Sequence, residues 1–130
     1  MSFSVLNASS YLTQEARSHL EQNGCVVVDC HLQSLPEDEI CDALCDIDAT
    51  IAGGEHYAEK VFHAADKLKI VARVGVGYDN VDTVAAVRHG AWVTTTPGAT
   101  SAAVADFTLA LILCLLRNVT AMAEGMKAGQ

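Results

Sequence analysis

Short apolar runs and helical stretches alternate about five times along this chain, and that order leaves few folds open. SVLNA (4–8), CVVVD (25–29), ATIAGG (49–54), KIVARVGVG (69–77) and AWVTTTPG (91–98) read as strands with their exit loops. TQEARSHLEQNG (13–24), SLPEDEICDALCD (34–46), AEKVFHAADKL (58–68), VDTVAAVRHG (81–90) and SAAVADFTLALILCLLRNV (101–119) read as helices. Thr13 is placed to cap the first helix, and Ser34 and Glu37 have capping-box spacing at the second. Gly24 and Gly90 are placed to end helices. CVVVD has the continuous β-branched pattern of a strand buried on both faces. The expectation is an α/β fold, a parallel five-stranded flavodoxin-like sheet with helices on both faces. A long apolar helix follows at the C-terminus. At 130 residues the chain is long enough for a real core.

Three of the strands end in small residues: Gly53-Gly54, then Gly75-Val76-Gly77, then Pro97-Gly98. The carboxyl ends of parallel strands share one sheet edge, and in open α/β sheets that edge holds the ligand crevice. Glycines there let a ligand approach bare backbone. The loop after Arg73 runs into a helix beginning near Asn80 or Asp82, so amides and a positive helix end favour an anion. Arg73 supplies a guanidinium fork suited to carboxylate or phosphate. A plainer reading stands beside this one, in which the glycines serve an ordinary turn, Asp79 caps the helix and Arg73 is solvated. Gly75-x-Gly77 is also an incomplete dinucleotide fingerprint, because Asn80 stands where a third glycine belongs.

Other classes fare worse. The net charge of −8, with no basic cluster, argues against nucleic acid or an anionic membrane surface as partner. The longest apolar run, LALILCLL (109–116), falls well short of the ~18 residues that span a bilayer. The N-terminus has no signal-peptide pattern. Five cysteines, without framework spacing, suit free thiols in a reducing cytoplasm. Cys41 and Cys45 share a helix face but have no further ligands at metal spacing, so no metal site is assigned. Of His19, His31, His56, His63 and His89, only His56 falls near the crevice. It has no acid or serine at a readable spacing, and no catalytic residue is assigned. A receiver-like domain would need an acidic cluster after the first strand, where NASSYL has none.

The stretch VARVGVGYDNVDTVAAVRHGAWVTTTPGATSAAVADFTLALILCLLRN resembles the NAD-dependent D-isomer-specific 2-hydroxyacid dehydrogenases, in flavour the phosphoglycerate branch. The family pattern is an apolar strand, an Arg-x-Gly-x-Gly-x-Asp-Asn-x-Asp loop and a helix. A strand ending in Thr-Pro-Gly and a helix opening with Val-Ala-Glu follow. Its pieces here are Arg73, Gly75, Gly77, Asp79, Asn80, Asp82, Thr96, Pro97, Gly98, Val104 and Ala105, with Asp106 in place of the Glu. The resemblance is strong over residues 48–119 and weaker before them.

That resemblance implies a substrate-binding domain over residues 1–98. Residues 99–130 would then be an interdomain helix leading to a nucleotide-binding domain beyond this sequence. It implies that a small 2-hydroxy or 2-oxo acid is held by Gly53, Gly54, Arg73, Val76, Gly77 and Thr100. Val76 and Thr100 would also face NAD. The family's Arg, Glu and His of catalysis, and its dinucleotide loop, match nothing here, so the chain alone is expected to be inactive. The alternative is a non-catalytic dimeric binding or regulatory module derived from that family. Residues 102–116 are apolar nearly all round, a pattern normally buried on every side. Self-association through residues 101–119 is therefore expected.

Overall fold

A computed structural model describes residues 2–129. Contacts divide the chain into two compact units, Met1–Pro97 and Gly98–Gln130.

The first unit carries β1 (Phe3–Asn7), α1 (Gln14–Gln22), β2 (Cys25–Asp29), α2 (Glu37–Leu44) and β3 (Ala49–Ala52). It continues with α3 (Glu59–Ala64), β4 (Ile70–Arg73), α4 (Thr83–His89) and β5 (Trp92–Thr94). The five strands are all parallel, in the order β2-β1-β3-β4-β5. The order reverses direction beside β1, so the topological switch point lies between β1 and β3.

Register explains which side chains are buried. Leu6, Thr50, Val71 and Val93 stand in one row across the sheet. Leu6 and Val71 join the core with Ile40, Cys41 and Leu44 of α2, Val61 and Phe62 of α3, and Ala85 and Ala86 of α4. The neighbouring row, Val5, Ala49, Ile70 and Trp92, points to the other face. There Leu20 of α1 meets Phe3, Val5 and Cys25 along an apolar groove. Helices thus lie on both faces, three on one and α1 on the other.

Three local expectations are corrected. β2 is an edge strand, not one buried on both faces, and Val26 and Val28 are about half exposed. The Ser34–Glu37 capping box does not form: α2 begins one residue after Pro36, with no side-chain cap bond. The helix expected over 101–119 stops at Leu116. Asn118, in the left-handed region at φ 53, then opens a second helix. Other signals hold: Thr13 Oγ1 accepts from the Ala16 amide, and Gly90 ends α4 at φ 80.

The second unit consists of α5 (Ser101–Leu116) and α6 (Val119–Lys127), bent by 64°. Within this unit α6 leaves α5's large side chains uncovered, among them Phe107, Leu109, Leu113 and Leu116. Among the described residues no single helix is long and apolar enough to cross a membrane.

Candidate functional site

The loops after β3 and β4 are neighbours because their strands pair, and Val74 donates onward to the Ala52 carbonyl at 2.9 Å.

After β3, Glu55 turns inward and is only 2% exposed. Its Oε1 accepts the Gly53 amide at 2.9 Å and the Tyr57 hydroxyl at 2.7 Å. Tyr57 and the buried Thr50 hydroxyl lie 3.0 Å apart. Burial first, and the Glu55 charge second, push the Tyr57 phenol far above its ordinary value. Glu55 Oε2 has no partner among the described residues. Gly53 is needed for this closeness, since a Cβ there would stand 3.0 Å from Glu55 Oε2 and 3.4 Å from the Ala8 carbonyl oxygen. The Gly53 loop and the buried end of β1 thus meet at the switch point.

After β4 the chain stays open. Thr96 donates its amide to the Gly75 carbonyl at 2.9 Å, tying in the loop after β5. Val76 and Gly77 are exposed. Among the described residues no oxygen accepts either of their amides. Asp79 closes the far side, its Oδ2 3.5 Å from where a Gly77 Cβ would be. Asn80 then crosses to the other loop, donating from Nδ2 to the Glu55 carbonyl at 2.5 Å. Tyr57 and Asp82 pair around it: Tyr57 donates to the Asn80 carbonyl at 2.8 Å, and Asp82 donates to the Tyr57 carbonyl at 2.9 Å. Asp82, not Asp79, caps α4, accepting from Val84 and Ala85 at 3.0 and 2.9 Å.

The structure therefore brings Gly53, Gly54, Arg73, Val76 and Gly77 to adjoining strand ends. Gly54 lies under the side chain of Gln33, whose Nε2 would be 3.1 Å from a Cβ there. Thr100 stands at the head of α5 in the second unit, without a side-chain cap bond. Arg73 departs from a free fork. It is half-buried and folds over its own loop, with Nη1 donating to the Val74 carbonyl and Nε to Asn80 Oδ1 at 3.4 Å. His56 is exposed and shares a cleft of about 220 Å³ with Asp79, Asn80 and Asp82.

Tyr57 and Thr50 escaped the sequence reading as parts of the site. Glu55, which that reading sets on the cleft with Gly53 and Gly54, turns inward instead. Asn80, a piece of the family pattern, has no role assigned there. Glu55 follows two glycines and looks like any exposed loop acid. Only its spacing to Tyr57, two residues on, hints at a buried pair.

The Gly75-x-Gly77 loop is not a dinucleotide fingerprint loop. The guanidinium of Arg73 occupies the space that Gly75 leaves open, and Asn80 replaces the third glycine. Two exposed amides, those of Val76 and Gly77, remain in a loop that also carries the Arg73 guanidinium and the Asp79 carboxylate.

The profile of the family described as D-isomer specific 2-hydroxyacid dehydrogenase, catalytic domain, matches residues 5–128. The match reaches well before residue 48, where the resemblance had thinned. D-3-phosphoglycerate dehydrogenase of Homo sapiens is 36% identical over 115 residues, 88% of this chain and 21% of that protein. Glyoxylate reductase of Pyrococcus furiosus is 34% identical over 99 residues, 75% of this chain and 30% of that one. The solved TT0316 protein of Thermus thermophilus superposes with a TM-score of 0.87 at 32% identity, over 98% of this chain and 41% of that one. The chain thus spans about a fifth to a third of the length of these curated relatives.

Proposed function

The chain belongs to the D-isomer specific 2-hydroxyacid dehydrogenase family, and on that premise we propose that it is the part of an NAD-dependent dehydrogenase that grips the substrate carboxylate. The observation that carries this reading is the pair of exposed, unengaged amides at Val76 and Gly77, set at the carboxyl end of β4 beside Arg73. Two N–H groups and a neighbouring cation suit the carboxylate of a small 2-hydroxy or 2-oxo acid. The names of the relatives, one acting on a phosphoglycerate and one on glyoxylate, support that substrate class.

Hydride transfer needs a nicotinamide held against the substrate carbon. In this reading NAD binding and proton transfer belong to parts of the parent enzyme outside these residues, and this chain is inactive by itself. The greater length of the relatives supports that division. Self-association through residues 101–119 belongs to the same reading, because α5 leaves a broad apolar surface uncovered within its unit.

The test is a titration of the ¹⁵N-labelled chain with glycerate and with 3-phosphoglycerate, followed by amide NMR. The expected result is a saturable shift at Val76 and Gly77. Arg73→Gln should weaken the phosphorylated acid about tenfold and the simple acid less, as loss of one charge-assisted contact implies. Shifts confined to other segments, or none at millimolar acid, would overturn the assignment.

A further inference from the structure

We infer that Asn80 is a positioning residue for Arg73, carrying the fixed geometry of the loop after β3 across to the guanidinium. Its Nδ2 donates to the Glu55 carbonyl at 2.5 Å, and its Oδ1 accepts from Arg73 Nε at 3.4 Å. The two ends of the amide are not interchangeable. A backbone carbonyl only accepts and a guanidinium N–H only donates, so a flipped amide would lose both contacts.

The anchor is rigid on one side. Glu55 is buried, its carboxylate is held by the Gly53 amide and the Tyr57 hydroxyl, and Tyr57 is fixed against Thr50. On the other side the guanidinium has a seat only because residue 75 carries no side chain. A Cβ there would collide with Nη1 and stand 3.0 Å from Cζ. With Nε on Asn80 and Nη1 on the Val74 carbonyl, Nη2 is the nitrogen without a protein acceptor among the described residues. Asn80 and Gly75 together thus decide which guanidinium edge is left for a ligand. Three guanidinium N–H groups remain for a ligand, one on Nη1 and two on Nη2.

The first experiment needs no ligand. In the ¹⁵N-arginine-labelled chain, the Arg73 Nε–H signal is identified by its loss in Arg73→Lys. It is expected to exchange slowly with solvent. Asn80→Ala should speed that exchange at least fivefold while the amide spectrum stays dispersed. Gly75→Ala, which displaces the guanidinium sterically, marks the exchange of an unseated Arg73. Asn80→Ser, too short to span both contacts, decides the matter should Asn80→Ala fail to fold. An Arg73 signal unmoved by the folded Asn80 variants overturns the inference.

The second experiment rests on the carboxylate site proposed above. Asn80→Ala should weaken 3-phosphoglycerate binding about tenfold beside Arg73, and less than twofold in an Arg73→Gln background, the signature of one residue acting through another. Equal losses in both backgrounds mean that Asn80 only supports the fold, and overturn the inference. Failure of the unaltered chain to bind any acid would sink the carboxylate reading alone, with the guanidinium exchange still deciding the role of Asn80.

Discussion

The Tyr57 hydroxyl donates to Glu55 Oε1 across 2.7 Å, and neither side chain reaches solvent. Burial, then the Glu55 charge, holds the phenol protonated far above its ordinary range. The unfolded chain would release that proton near pH 10, about the value for a free tyrosine. Above that pH the folded state binds more protons than the unfolded one, so stability falls as pH rises, by up to about 1.4 kcal/mol per unit. Urea midpoints measured from pH 8 to pH 11 should therefore drop faster in the native sequence than in Tyr57→Phe. At neutral pH the same variant should cost about 1–3 kcal/mol, since Glu55 loses a donor and Thr50 its partner. Matching slopes in the two proteins would mean that Tyr57 is not closed off.

Asp29 offers the opposite sign at the exit of β2. The Asn7 side-chain amide at 2.7 Å, and next the Arg17 guanidinium at 2.5 Å, hold its carboxyl below the ordinary carboxylate range. A group depressed in the folded state adds stability above its unfolded value, near 3.9, and loses it as pH falls through the folded value. Carboxyl-carbon NMR should place the Asp29 midpoint low in the native chain. It should rise in both Asn7→Ala and Arg17→Gln. A midpoint unmoved in both would mean that neither partner holds the carboxyl.

Self-association is checked at α5. Leu109, Leu113 and Leu116 are more than half exposed and lie within one to two turns of each other. Sedimentation velocity at micromolar concentration should show the native chain as a dimer or larger. Leu109→Glu combined with Leu113→Glu should sediment as a monomer, with the circular dichroism of the first unit's sheet retained. A native chain that stays monomeric removes residues 101–119 from consideration as a contact surface.

Much of the fold was legible because its signals are local. β-branched runs alternating with capped helices fix the strands, and Thr13, Asp82 and Gly90 do at the helix ends what their chemistry dictates. The edge position of β2 was hidden because strand order is set by long-range pairing, which CVVVD does not encode. The break at Arg117–Asn118 was missed because the apolar pattern runs on past it and neither residue is glycine or proline. In the site, the glycines announced open backbone, but Glu55 is held by Gly53 and Tyr57, and Arg73 by Val74 and Asn80, near neighbours whose side-chain directions the sequence does not encode. Asn80 looked like a failed third glycine, and only the pairing of two loops shows it as a bridge.

The parallel sheet also governs how the chain assembles in time. β1 lies between β2 and β3, and the Ser4 amide closes onto Asp48, 44 residues away in sequence. β1 is thus flanked on one side by a strand that appears only later in the chain. Such distant pairings carry a loop-closure cost before any contact repays it. Residues 1–45 emerging from the ribosome would hold an incomplete sheet, and the rate of folding should depend on the arrival of β3 more than on any helix.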